Sequence, residues 1–81
     1  MLSFRLVTWN INSIRIRLDL LKHLRDVYAP DIICLQEVKA KAEDFPFEDV
    51  KSLGFEHIAL YSMPSYNGVA ILSKIPLTNI T

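Results

Sequence analysis

Two apolar runs, each ending in a short polar motif, constrain this chain most. Phe4–Trp9 is apolar and rich in β-branched and aromatic residues, and it runs into Trp9-Asn10-Ile11-Asn12. The uninterrupted apolar run Ile32-Ile33-Cys34-Leu35 ends in Gln36-Glu37. A run of that kind reads as a strand buried on both faces, as in parallel sheets. Between them lies one helix-length segment, with Ile14, Leu18, Leu21, Leu24 and Tyr28 at three- and four-residue steps and Leu20 and Val27 widening the stripe. Asn12 or Ser13 is placed to cap this helix, and Pro30 ends it by disfavouring α conformation at Ala29. A right-handed β-α-β crossover makes the two strands parallel neighbours and brings their C-terminal ends side by side.

The remaining elements are shorter. Lys39–Asp44 is charged and reads as a loop, and Phe47–Leu53 as a short helix closed by Gly54. Phe55–Tyr61 and Val69–Leu72 read as strands, most simply antiparallel, with a turn over 63–68 between them. The expected order is β-α-β, a short helix, then β-β. There is no repeat, low-complexity tract or linker.

With 81 residues there is room for one small core and no more. Hydrophobic residues make up 51% of the chain, which excludes a disordered polymer. The formal charge is zero, which argues against a uniformly basic nucleic-acid binder. Its distribution is uneven. Residues 1–41 carry seven Lys/Arg against four Asp/Glu, and residues 42–81 carry two against five. The front half is thus the side suited to a polyanion, although ordinary charge scatter gives the same pattern. The single cysteine, Cys34, excludes an internal disulfide and a cysteine-based zinc site, and reads as a buried structural thiol in a reducing cytoplasm. The N-terminus has no signal-peptide pattern. No apolar run approaches the ~20 residues of a membrane span.

Asn10 and Glu37 fall just past the strand ends, where open α/β sheets bind ligands. A carboxylate and an amide carbonyl are hard oxygen donors, and magnesium needs only one or two such protein ligands. On spacing alone, a turn-capping asparagine and a solvated glutamate explain the pair more simply.

The surrounding residues add a resemblance. Trp9-Asn10-Ile11-Asn12, Pro30-Asp31-Ile32-Ile33-Cys34-Leu35-Gln36-Glu37, Phe45-Pro46 and Tyr66-Asn67-Gly68-Val69-Ala70-Ile71-Leu72-Ser73-Lys74 occur in order. Together they resemble the exonuclease III branch of the endonuclease/exonuclease/phosphatase superfamily, over about residues 4–76. The resemblance implies an α/β fold, the N-terminal part of a DNase I-like two-sheet sandwich, with residues 1–81 as a partial domain covering the first third or so of a full-length member. It implies magnesium- or manganese-dependent phosphodiester hydrolysis in DNA repair, with DNA as partner and no membrane. By the same match Glu37 corresponds to the acidic metal ligand and Asn10 to the asparagine supporting metal and phosphate. Asn12, Arg15, Tyr66 and Asn67 correspond to DNA-facing positions. A guanidinium such as that of Arg15 suits a phosphate. His23 and His57 match no site of the family.

Two local departures accompany the match: Ser13 stands where the family commonly has glycine, and Val38 where threonine is usual. A larger one is that no Asp-x-Asn or Asp-His pattern is present, so no catalytic set is complete in the chain. The expectation is a nuclease fragment inactive alone. The alternatives are a fragment of a phosphatase or sphingomyelinase of the same superfamily, or a non-enzymatic remnant. The architecture also buries the strands holding Ile33, Leu35, Val69 and Ile71 on both faces. Lacking the second sheet, the chain is expected to expose an apolar face and self-associate.

Overall fold

A computed structural model describes residues 5–40, 43–61 and 68–76. Six elements follow in the expected order: β1 (Leu6–Asn10), α1 (Leu18–Tyr28), β2 (Ile32–Gln36), α2 (Phe47–Ser52), β3 (His57–Tyr61) and β4 (Val69–Ser73). They form one four-stranded sheet in the order β1-β2-β4-β3. β1 and β2 are parallel, with Leu6 opposite Ile32 and Asn10 opposite Gln36. β4 is antiparallel to both β2 and β3. The turn read over 63–68 lies outside the described residues except for Gly68.

Strand alternation sorts the side chains into two faces. On one face Ile33 and Leu35 of β2 lie opposite Leu72 and Ala70 of β4, and all four are buried. Leu21 of α1, Val50 of α2, Phe45 and Phe55 close over them in one cluster, with Trp9, Leu18, Leu24, Ile58 and Leu60 at its margin. The other face carries Leu6, Cys34, Val69, Ile71 and Tyr61, and nothing among the described residues covers it. Leu6 and Tyr61 are 60% and 66% exposed. Thus Ile33 and Leu35 are sealed by the helices, and the exposure expected of all four aliphatics falls on Val69 and, in part, Ile71. Cys34 is only partly buried, not the fully buried thiol expected, because its side chain lies on this open face.

The first helix differs from the periodic reading. It begins at Leu18, not near Ser13, and Arg17 precedes it with no side-chain cap. Asn12 and Ser13 cannot cap it, because both have left-handed backbones, with φ of 50° and 84°, whereas a capping residue is normally extended. Residues 11–14 instead continue the parallel pairing: the N–H groups of Ile11, Ser13 and Ile14 donate to the carbonyls of Gln36, Glu37 and Val38 at 3.1, 2.9 and 3.0 Å. Ile14 is therefore a buried loop residue, not a helical one. The helix stripe is also narrower than expected. Leu18, Leu21 and Leu24 face the core, while Leu20, Val27 and Tyr28 are half or more exposed.

The helix ends as expected. Ala29 adopts φ 45° and donates its N–H to the Arg25 carbonyl, and Pro30 follows, buried. Arg25 also ties the two helices together through Nη1 to the Leu53 carbonyl at 3.3 Å. After α2, Gly54 turns the chain at φ +105°, a conformation that other residues adopt with strain.

Candidate metal and phosphate corner

β1 and β2 do not stop abruptly at their C-terminal ends. The loop over 11–14 and the loop over 37–40 run on side by side, held by the three backbone hydrogen bonds from Ile11, Ser13 and Ile14. On the far side the Val38 N–H donates to the Gly68 carbonyl at 3.1 Å. Ile11, Ile14 and Val38 point into the core and are fully buried. Their neighbours point out. Asn10 and Asn12 are exposed on one loop, and Glu37 and Lys39 half-exposed on the other. The members of each pair stand two positions apart, and hydrogen bonds across the seam, not a strand alternation, bring the side chains of the two loops together.

Strain concentrates here. Among the described residues, five non-glycine residues have positive φ, and four of them are Asn12, Ser13, Glu37 and Lys39. Asparagine tolerates this region, whereas other side chains cost about 1–2 kcal/mol each. The buried anchors and paired backbones hold these conformations, which is how strained sites persist in folded proteins. Ser13, for which the resemblance implies a glycine, is one of the strained four.

The side chains meet across the seam. Asn10 Nδ2 donates to Glu37 Oε2. Lys39 Nζ donates to Asn12 Oδ1 at 2.6 Å, and Arg17 Nε donates to the Asn12 backbone carbonyl at 3.2 Å. An open groove of about 260 Å³ adjoins the corner, lined by Trp9, Asn10, Ile11, Asn12, Arg17 and Leu20.

The residues expected at the site are thus only partly assembled. Asn10, Asn12 and Glu37 converge. Arg15 is exposed in the turn leading to α1, and no hydrogen bond holds its side chain among the described residues. Tyr66 and Asn67 lie outside the described residues. His23 and His57 sit on α1 and β3, away from the seam. Lys39 reads in the sequence only as the start of a charged loop. The signal for Lys39 was available: it stands two residues beyond Glu37, as Asn12 stands two beyond Asn10.

The donor set suits a small divalent cation. Glu37 supplies a carboxylate and Asn10 a neutral amide oxygen, both hard ligands for an ion that keeps much of its water. Among the described residues no three His, Cys, Asp or Glu side chains cluster to enclose a metal. The corner is one side of a site, not a closed cage.

Residues 7–81 match the Endonuclease/Exonuclease/phosphatase family. Exodeoxyribonuclease III of Haemophilus influenzae is 37% identical over 70 residues, covering 86% of this chain and 26% of that protein. The structure of a 3' phosphatase, NExo, from Neisseria bound to product DNA hairpin superposes with a TM-score of 0.85 at 34% identity, over 95% of this chain and 30% of that one. An AP endonuclease from Archaeoglobus fulgidus gives 0.79 at 36% identity, over 89% and 28%. The chain therefore spans about a quarter of the length of the curated relative, and it corresponds to an N-terminal part of their fold. With its sheet, its strand order and almost all of its length accounted for, the chain belongs to the endonuclease/exonuclease/phosphatase family.

Proposed function

We propose that this chain forms the metal corner of an exonuclease III-type DNA-repair nuclease, a partial domain over residues 1–81 that acts together with the rest of such a fold. The observation that carries this reading is the meeting of Asn10 and Glu37 across the ends of two parallel strands. Glu37 and Asn10 hold magnesium, with manganese as substitute. When bound, the metal supplies charge stabilisation to a phosphodiester under attack by water. The chain's own residues orient the substrate: Asn12 and Arg15 face the DNA backbone from the loop after β1, and the resemblance assigns Tyr66 and Asn67 to the same task.

The polar groups that activate water in relatives are outside this sequence's motifs, so hydrolysis needs a complementary segment. The open sheet face, with Leu6, Val69, Ile71 and Tyr61, is where that segment or a second copy packs. No described helix is long and apolar enough to cross a membrane. The unpaired Cys34 fits a reducing cytoplasm.

A chimaera tests the reading. This chain replaces the matched segment of the Haemophilus exodeoxyribonuclease III, and metal-dependent incision of abasic-site DNA is measured. The chimaera should incise, and Glu37→Ala within it should lower the rate by about 10²–10³-fold, the usual loss on removing one charge-stabilising group. A folded chimaera indifferent to Glu37→Ala rejects the assignment.

A further inference from the structure

Besides the Asn10–Glu37 contact, one other side-chain hydrogen bond joins the same two loops, from Lys39 to Asn12. The chemistry of the partners fixes which way each amide points. A carboxylate only accepts, so Asn10 must present its NH₂ to Glu37 and keep its oxygen for another partner. An ammonium only donates, so Asn12 must present its oxygen to Lys39 and keep its NH₂. The leftover groups therefore differ in kind along the seam. At one end stand acceptors, Asn10 Oδ1 and Glu37 Oε1. At the other stand donors, the Asn12 NH₂ and the two remaining Lys39 N–H groups. No other protein partner engages these atoms among the described residues.

We propose that Asn12 and Lys39 form an anion-binding pair that takes a non-bridging oxygen of a phosphodiester, beside the cation end formed by Asn10 and Glu37. Lys39 is a positioning residue here: its hydrogen bond holds the Asn12 amide with its N–H groups outward, and its charge favours the anion. Arg17 steadies the same turn through the Asn12 carbonyl at 3.2 Å. A charged donor already occupies one lone pair of Asn12 Oδ1, which sets this oxygen apart from the open acceptors of the neighbouring metal corner. Charge-assisted hydrogen bonds of this kind are the strong ones in phosphate recognition. The assignment rests on the proposed phosphodiesterase reading for its biological ligand, while the binding pair itself stands on the geometry alone.

The test uses the whole chain labelled with nitrogen-15 at its four asparagines. Dimethyl phosphate is titrated at constant ionic strength, and magnesium chloride in a separate series. Dimethyl phosphate should shift the Asn12 side-chain amide saturably and leave the Asn10 amide nearly still. Lys39→Met should weaken that binding about tenfold or more, the effect of one charged hydrogen bond, and Lys39→Arg should restore most of it. Glu37→Gln should abolish the magnesium response of Asn10 while phosphate binding persists or tightens. An Asn12 amide unmoved in the unmodified chain, or moved equally in Lys39→Met, overturns the pair. A magnesium response without a phosphate response sinks the pair alone. A phosphate response without a magnesium response sinks the metal corner and leaves the pair standing.

Discussion

The two faces of the sheet are built from the same four strands and end in different states. One carries Ile33, Leu35, Ala70 and Leu72 under two helices and Phe55, all nearly inaccessible to water. The other carries Leu6, Val69, Ile71 and Tyr61 with nothing above them among the described residues. The corner at the strand ends rests on the finished face: Ile11, Ile14 and Val38, which anchor its strained loops, belong to the same buried cluster. The difference separates what local sequence completes from what a longer fold must supply. A β-α-β unit and its short helix suffice to shape the seam where Asn10, Asn12, Glu37 and Lys39 meet. They do not suffice to cover the sheet.

The largest expected effect lies under the helices. Phe55→Ala leaves a void in the middle of the cluster and should destabilise the chain by about 3–5 kcal/mol. That is much of the ~5–15 kcal/mol a whole domain commonly has. Urea titration followed by circular dichroism should show the folded baseline lost. A loss under 1 kcal/mol contradicts the description of that face as the core.

A smaller and opposite effect is expected at the corner. Ser13→Gly relieves a side chain held at φ 84° and should raise stability by about 1 kcal/mol. Thermal unfolding reads it as a higher midpoint. Glycine's greater freedom in the unfolded chain opposes this gain, so an unchanged or lower midpoint means that the backbone strain is not stored there.

The open face should respond least in stability and most in association. Val69→Lys and Tyr61→Lys leave the cluster under the helices untouched, and surface changes of this kind usually fall within about 0.5 kcal/mol. Charge there should nonetheless shift sedimentation toward monomer, since exposed apolar patches and open strand edges drive self-association. A parent chain that already sediments as a single monomer, with a sharp unfolding transition, breaks the comparison between the faces.

Much of this arrangement was legible in the residues. The continuous run Ile32–Leu35 reads as a strand buried on both faces; β2 does lie between β1 and β4, but only Ile33 and Leu35 are sealed, and the face carrying Cys34 is uncovered among the described residues. The helix-length spacing between the apolar runs gave the parallel pairing and so the convergence of Asn10 with Glu37. Periodicity misled at Ile14, because a loop residue tucked into the core repeats the helical interval by accident. It misled again at Leu20, Val27 and Tyr28, which extend the apolar stripe on paper but reach past the edge of what the sheet covers. Lys39 escaped notice because a charged residue in a polar loop looks solvated. Only the left-handed turns at Glu37 and Lys39, invisible in composition, bring its ammonium back to Asn12. Ser13 reads as a helix cap, yet its backbone is left-handed, with φ of 84°.

The central claim is that Asn10 and Glu37 together make a divalent-cation corner. Manganese added in trace amounts to the isotope-labelled chain tests it most directly, because the paramagnetic ion broadens only the nuclei near its binding site. The account predicts loss of signal first at residues 10–12 and 37–39, competed away by magnesium and abolished by Glu37→Gln. Broadening centred elsewhere, or unchanged in Glu37→Gln, would contradict it.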